Sequence, residues 1–318
     1  MFAQISQSSA SIASAADSQT PPFAIKTQGI TKKYGNQTVV SNLNIAIPQG
    51  RIYGFLGPNG AGKSTTMKML LGLTKPTSGE IRIFGRDLPS SKAEILPRIG
   101  SLIEGPAFYP HLSGVQNLRL VADYLSCPKE SVEAALDIVD LTNSAEKPAR
   151  QYSLGMKQRL GIAMALAREP ELLILDEPTN GLDPAGIEEI RSLIIHLAQQ
   201  GITIMVSSHL LDEIDKMASV LGIINNGTLI FQGSREELSG QSIPDFVIES
   251  DQAGLLQNFP GARMLSPTTV SLSNLSKEDG AHLLGELHAV GARVFEAYRA
   301  SQSLEDIFMK LTAQGQLQ

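Results

Sequence analysis

One octapeptide constrains this chain more than anything else in it: Gly57-Pro58-Asn59-Gly60-Ala61-Gly62-Lys63-Ser64, which matches G-x-x-x-x-G-K-[ST]. It follows a β-branched and aromatic run at 52–56 and precedes a helical pattern at 65–71. Strand, glycine turn, helix is the context the motif requires. Its glycines allow backbone angles that turn successive N–H groups toward an anion. The helix that follows adds roughly half a positive charge at its N-terminus. A triphosphate fits such a concavity. Lys63 would supply a full charge to the β- and γ-phosphates, Ser64 a hydroxyl for Mg²⁺ and Thr65 a further donor. A glycine turn with an exposed lysine is the plain alternative.

The surrounding pattern is α/β. Short apolar runs at 23–30, 38–47 and 52–56 read as strands, with another short pair around 80–84. From about 97 to 168 the periodicity is helical, one face carrying Leu118, Val121, Ala122 and Leu125 and another Val132, Ala135, Leu136 and Val139. Continuous apolar runs at 172–175 and 202–206 flank an amphipathic helix at 184–199, which implies parallel strands covered on both faces. A hairpin around Asn225-Asn226-Gly227 ends this region near 238. Beyond Ser239-Gly240 the order is strand at 246–249, helix, two strands, helix at 277–290, strand at 293–298 and helix at 304–311. Residues 1–22 lack Lys and Arg and end in Pro21-Pro22, so they read as a tail outside the fold. The expected division is 1–22 tail, 23–238 nucleotide-binding domain with a helical insert at about 97–168, and 241–318 small α+β appendage.

With 26 basic and 32 acidic side chains the net charge is −6, which argues against a nucleic-acid partner held on a broad basic face. The single cysteine, Cys127, favours a cytoplasmic setting over a disulfide framework. No apolar stretch approaches the ~18 to 20 residues of a membrane-crossing helix.

The strand at 172–175 ends in Asp176-Glu177. Alone, an Asp-Glu pair after a strand is more often a solvated turn. Beside the glycine loop, Asp176 becomes a Mg²⁺ ligand at the carboxyl end of a parallel strand, and Glu177 a general base polarising the water that attacks the γ-phosphate.

Tyr152-Ser153-Leu154-Gly155-Met156-Lys157-Gln158-Arg159, the Leu182-Asp183 turn and Ser207-Ser208-His209 make the resemblance specific. Together with the loop, and in this order, they resemble the ATP-binding-cassette (ABC) ATPases over roughly 23–238. The resemblance implies an α/β cassette: a mixed sheet with helices on both faces and a helical insert. It also implies ATP and Mg²⁺ as ligands, and two such subunits closing head to tail so that Ser153 and Gly155 of one cap the ATP of the other. His209 resembles the switch histidine, Asp183 the residue communicating between the two sites, and Tyr34 the aromatic that stacks on adenine. A separate polytopic membrane permease is the implied partner, with this subunit peripheral on the inner face of the cell membrane.

Two departures narrow the resemblance. Glu104, in Ile99-Gly100-Ser101-Leu102-Ile103-Glu104, stands where the family usually carries a Mg²⁺- and water-contacting Gln, and Leu154 and Met156 replace the usual Gly and Gln of the signature. Both spellings resemble bacterial subunits that export bacitracin or protect lantibiotic producers, as do 52–56 and 303–308. The cargo so implied is a peptide antibiotic. Glu104 would then act as a further metal and catalytic contact; an exposed loop glutamate is the alternative. Phe108, Tyr109 and Leu112 within 105–117 suit a groove for an amphipathic helix, which the resemblance implies comes from the membrane subunit; a hydrophobic staple inside the insert is the alternative. Cassettes acting on ribosomes or DNA, and an inactive binding module, are the rival readings. A paired cassette or coiled-coil insert would favour the first, and loss of Lys63, Asp176, Glu177 or His209 the second.

Overall fold

A strand buried at every position has to lie between two covered faces, and three segments satisfy this: Ile52–Leu56, Leu172–Leu175 and Thr203–Ser208. In the computed structural model, which describes residues 22–240, 244–273, 275–300 and Ile307, these three are the centre of the molecule.

The chain enters through β1 (Phe23–Tyr34), β2 (Gln37–Leu43) and β3 (Ala46–Pro48), then β4 (Ile52–Leu56) and α1 (Lys63–Leu70). There follow β5 (Ser78–Ile83), β6 (Arg86–Asp87), α2 (Leu88–Ile95) and β7 (Ile99–Leu102), then three helices, α3 (Gly114–Leu125), α4 (Glu130–Ile138) and α5 (Leu154–Leu166). Next come β8 (Leu172–Leu175), α6 (Pro184–Gln199), β9 (Thr203–Ser208), α7 (Leu211–Asp215), β10 (Val220–Asn225), β11 (Thr228–Gly233) and α8 (Arg235–Gly240). The remainder is β12 (Phe246–Ser250), β13 (Ala262–Ser266), β14 (Thr269–Leu272), α9 (Lys277–Ala289) and β15 (Val294–Arg299).

The central sheet runs β11-β10-β4-β9-β8-β7. All neighbours are parallel except the β10–β11 hairpin, so the sheet is mixed, as expected. Successive residues of each central strand serve opposite cores. Leu173, Leu175, Ile204 and Val206 pack with the helices, including Leu118, Leu136, Leu160 and Ile194. Leu172, Ile174, Met205, Tyr53 and Phe55 pack with α1 and with the antiparallel sheet β2-β1-β5-β6 through Ile25, Ile30, Val40 and Ile83. Each fully buried aliphatic side chain contributes roughly 1.5 to 3 kcal/mol, and two such layers hold β4, β8 and β9 from both sides.

The helical stretch expected from 97 contains a strand instead. β7 pairs in parallel with β8, Ile99 opposite Leu172 and Leu102 opposite Leu175. The four residues Ile99-Gly100-Ser101-Leu102 carry too little period to separate strand from helix, and pairing with β8 decides it. Gly100 allows the close fit: a Cβ there would lie 2.3 Å from the Ala165 carbonyl oxygen of α5. The helices begin only at α3, entered through a capping box in which Ser113 Oγ accepts from Gln116 N–H at 3.3 Å and Gln116 Oε1 from Ser113 N–H at 2.9 Å. The expected run at 38–47 is likewise divided into β2 and β3.

After α8 the chain forms a separate sheet, β13-β14-β12-β15, whose core joins Phe246, Ile248, Val270 and Leu272 to Leu283 and Leu287 of α9. The helix expected after β12 is a single 3-10 turn, Ala253–Leu256. Ile307 is 3% exposed and belongs to the core beside the central sheet, with Phe231 and Leu238. The tail at 1–21 and, apart from Ile307, the helix expected at 304–311 lie outside the described residues. Among the described residues no helix is long and apolar enough to cross a membrane.

Candidate functional site

Parallel strands deliver their carboxyl ends to one edge, so register decides which residues meet there. Leu56 pairs with Ser208, Leu175 with Val206 and Leu102 with Leu175. The residues that follow each strand end, Gly57–Lys63 after β4, Asp176-Glu177 after β8, His209 after β9 and Glu104 after β7, therefore emerge side by side.

The loop at Gly57–Gly62 is shaped by close backbone packing. A Cβ at Gly57 would lie 2.3 Å from the Ile224 carbonyl oxygen; Gly62, at φ 104°, would bring one within 2.9 Å of the Val39 carbonyl oxygen. Gly227 N–H donates to the Ala61 carbonyl at 3.0 Å, and Ala61 N–H to that of Pro58 at 3.1 Å. The β10–β11 turn and β2 thus brace the loop from behind. Gly57, Ala61, Gly62 and Lys63 are buried, whereas Pro58, Asn59 and Gly60 are exposed at the mouth and Ser64 and Thr65 half-buried in the first turn of α1. Gly57 and Gly62 thus let the loop seat tightly on β10 and β2, with its mouth left open for a phosphate chain.

Lys63 Nζ is held by the Gly57 carbonyl at 2.7 Å and that of Pro58 at 3.3 Å, and pairs with Glu177 Oε1 at 3.1 Å. The other oxygen, Glu177 Oε2, lies 3.0 Å from His209 Nδ1. One carboxylate therefore joins the loop to His209. Asp176, 9% exposed, accepts from Ser207 Oγ at 2.7 Å, and Ser207 Oγ in turn accepts from Glu177 N–H at 2.9 Å. Ser207 thereby orients both acids. The sequence grouped it with His209 but offered no signal of this role, because its hydroxyl acts across the β8–β9 boundary.

Glu177 and Glu104 both sit in left-handed backbone, at φ 46° and 60°. Glu104 directs its carboxylate to Lys68, five residues beyond Lys63 along α1; the pairing holds the Lys68 ammonium above the usual lysine pKa. Lys68 was absent from the expected site. Glu104 is 66% exposed in its side chain, so the ion pair is solvent-screened.

Mg²⁺ usually binds through one or two carboxylates and hydroxyls together with substrate phosphates, rather than in an all-protein cage. Among the described residues no group of three or more His, Cys, Asp or Glu is arranged to hold a metal. Asp176 and the Ser64 hydroxyl are hard oxygen donors in the sparse set such an ion requires, and they fit it.

The remaining expected residues lie apart. Ser153 caps α5, its Oγ accepting from Met156 N–H at 3.2 Å, and Asp183 caps α6 through Gly186 N–H at 3.1 Å. Ser153, Gly155, Asp183, Gly181, Arg159 and Glu189 line a common cavity of about 460 Å³ that includes none of Lys63, Asp176, Glu177 or His209. Tyr34 closes β1 with half its surface exposed and Lys32 Nζ 4.8 Å from its ring centroid, leaving an aromatic face for a planar ligand.

Residues 40–180 match the family described as ABC transporter. The bacitracin transport ATP-binding protein BcrA of Enterococcus faecalis is 40% identical over 301 residues, 92% of this chain and 97% of that protein. The lantibiotic transport ATP-binding protein SrtF of Streptococcus pyogenes is 47% identical over 208 residues, 65% of this chain and 90% of that one. Among solved structures, a dimeric post-hydrolysis ATP-binding cassette bound to ADP and Pi superposes with a TM-score of 0.60 at 25% identity, covering 66% of this chain and 98% of that one. With a curated relative 40% identical and covered over 97% of its length, the chain belongs to the ABC transporter family as an ATP-binding, ATP-hydrolysing subunit.

Proposed function

We propose that the chain works as one half of a dimer that closes around two ATP, drives a separate polytopic permease from the cytoplasmic face of the membrane, and exports or confers immunity to peptide antibiotics. The observation carrying the dimer is the division of the site: the phosphate loop, acids and histidine converge on one edge, while Ser153, Gly155 and Asp183 line a different cavity. Two half-sites of this kind are complementary between copies. The dimeric solved relative supports that pairing. The two named relatives, at 40% and 47% identity, support the peptide-antibiotic cargo.

In this reading Lys63 and the loop N–H groups bind the β- and γ-phosphates, Tyr34 stacks on adenine, and Thr65 adds a donor. Ser64 and Asp176 hold Mg²⁺, which when bound neutralises charge developing on the phosphates. Glu177 takes a proton from the attacking water, and His209, hydrogen-bonded to it, keeps it oriented. The partner's signature serine and glycine complete the anion site, and Asp183 links the two. Hydrolysis then leaves like charge between the halves and reopens them. We assign residues 23–238 to the nucleotide-binding domain, with its helical insert starting after β7, 241–318 to an α+β appendage and 1–22 to a tail. The net charge of −6 supports a reading without nucleic acid. The face carrying Tyr109, 53% exposed, is the proposed permease contact, with Leu112 half-buried beside it and Phe108 half-buried and packed against the core.

The test is affinity purification of the Glu177→Gln chain with ATP from detergent-solubilised host membranes. A stoichiometric polytopic protein is expected; recovery with ribosomes or DNA instead would remove the transport reading while leaving the ATP chemistry intact. Glu104→Gln should also remove the charge that pairs with Lys68 while keeping an acceptor oxygen, and change permease-stimulated ATPase by roughly 3- to 10-fold. Unchanged ATPase and unchanged peptide resistance would leave Glu104 without a special role.

A further inference from the structure

Directly behind the two residues assigned to hydrolysis lies a buried carboxylate that the proposed mechanism does not use. Glu213, on α7, is 9% exposed. Its Oε2 accepts from Thr179 Oγ1 at 2.5 Å and from Ser208 Oγ at 3.3 Å. Ser208 Oγ also accepts from Leu210 N–H at 3.0 Å, so its hydroxyl is used in both directions. Thr179 is two residues beyond Glu177, and Ser208 immediately precedes His209. Both hydroxyl-bearing residues are themselves buried, at 5% and 3% exposure. One acidic oxygen therefore fastens the segment leaving β8 to the segment leaving β9, next to the contact between Glu177 and His209.

The fastening is anchored through the packing of α7. Leu211 and Ile214, at 4% and 0% exposure, anchor it in the core. Ile214 lies so close on β4 that a Cβ at Gly54 would be 2.0 Å from its Cγ2. Glu177, Thr179, Gly181, His209 and Glu213 also line one small cavity of about 110 Å³, so a shift of either segment is felt at both functional side chains. A buried carboxylate is costly to desolvate unless donors satisfy it, and its two donors come from different strands' ends.

We infer that Glu213 is a positioning residue that holds Glu177 and His209 in register through Thr179 and Ser208, an inference resting on the proposed roles of those two in hydrolysis. Neither of the two hydroxyls that Glu213 binds, nor the cavity it lines, belongs to the phosphate loop, so its loss should spare nucleotide binding and reduce turnover. A misplacement near 1 Å of a reacting group costs up to about 100-fold in rate.

The experiment compares the purified full chain with Glu213→Leu, Thr179→Val, Glu213→Gln and Glu177→Gln, measuring kcat and KM for MgATP, nucleotide affinity and Tm. Glu213→Leu and Thr179→Val should lower kcat about 10- to 100-fold with KM and affinity within about twofold. Glu213→Gln, which keeps an acceptor oxygen of the same shape, should restore most of the rate. Thr179→Val, a near-isosteric change, keeps the test valid if Glu213→Leu fails to fold. Normal kcat in Thr179→Val, rate losses that follow Tm, or failure of Glu213→Gln to recover the rate would overturn the inference. If Glu177→Gln is inactive while Thr179→Val is normal, the inference alone falls. If Glu177→Gln turns over normally, the assignment of the base falls and takes the inference with it.

Discussion

Glu177→Gln should lower ATP turnover by about 10²- to 10⁴-fold, the range contributed by a positioned general base, while leaving ATP bound. The amide preserves the shape of the side chain and one acceptor oxygen, so the contact with Lys63 Nζ, now 3.1 Å, can persist. What it loses is the ability to take a proton. Asp176 keeps its bond from Ser207, at 2.7 Å, and the metal contact assigned to it is untouched. Binding without hydrolysis should hold the proposed dimer closed. Single-turnover hydrolysis and light scattering with and without ATP measure the two halves of this expectation. Turnover within about twofold of the parent chain would remove Glu177 as the base.

Lys63→Met should produce the opposite division, a chain that fails at binding. The ammonium is 5% exposed and held by two loop carbonyls, so it is fixed before any phosphate arrives. A charged hydrogen bond of this type is worth about 1.5 to 3 kcal/mol, or roughly 10- to 100-fold in affinity. The substitution also leaves Glu177 without its cation, facing the phosphates as a like charge, which pushes the loss toward the upper end of that range. Titration calorimetry with ATP in the absence of turnover checks this. Affinity within about twofold of the parent would mean that the loop N–H groups and helix terminus bind phosphate without the lysine.

The residues behind both expected defects stand out in the amino-acid sequence itself. Lys63, Asp176 and Glu177 were legible because each sits at a fixed offset from an apolar strand and parallel strands bring their carboxyl ends to one edge, whereas His209 was singled out by the family resemblance. The cassette core was legible for the same reason. β7 was not, because four residues between helices have no usable period and their strand state comes from pairing with β8. Ser207, Thr179, Glu213 and Lys68 escaped because their parts depend on contacts over 31, 34 and 36 positions, between segments whose local patterns are ordinary. The separation of Ser153 and Asp183 from the phosphate loop was implied by family resemblance; composition and spacing carried no trace of it.

The left-handed backbone at Glu177 and Glu104 has a further consequence. Such a conformation costs a side-chain-bearing residue on the order of 1 to 3 kcal/mol, and glycine would relieve it. The cassette thus keeps acids at two strand ends where its own backbone favours the smallest residue. At the exposed Glu104, glycine would be the more durable choice, whereas at Glu177 the buried Lys63 ammonium needs the carboxylate, so there the strained backbone and the ion pair are kept together.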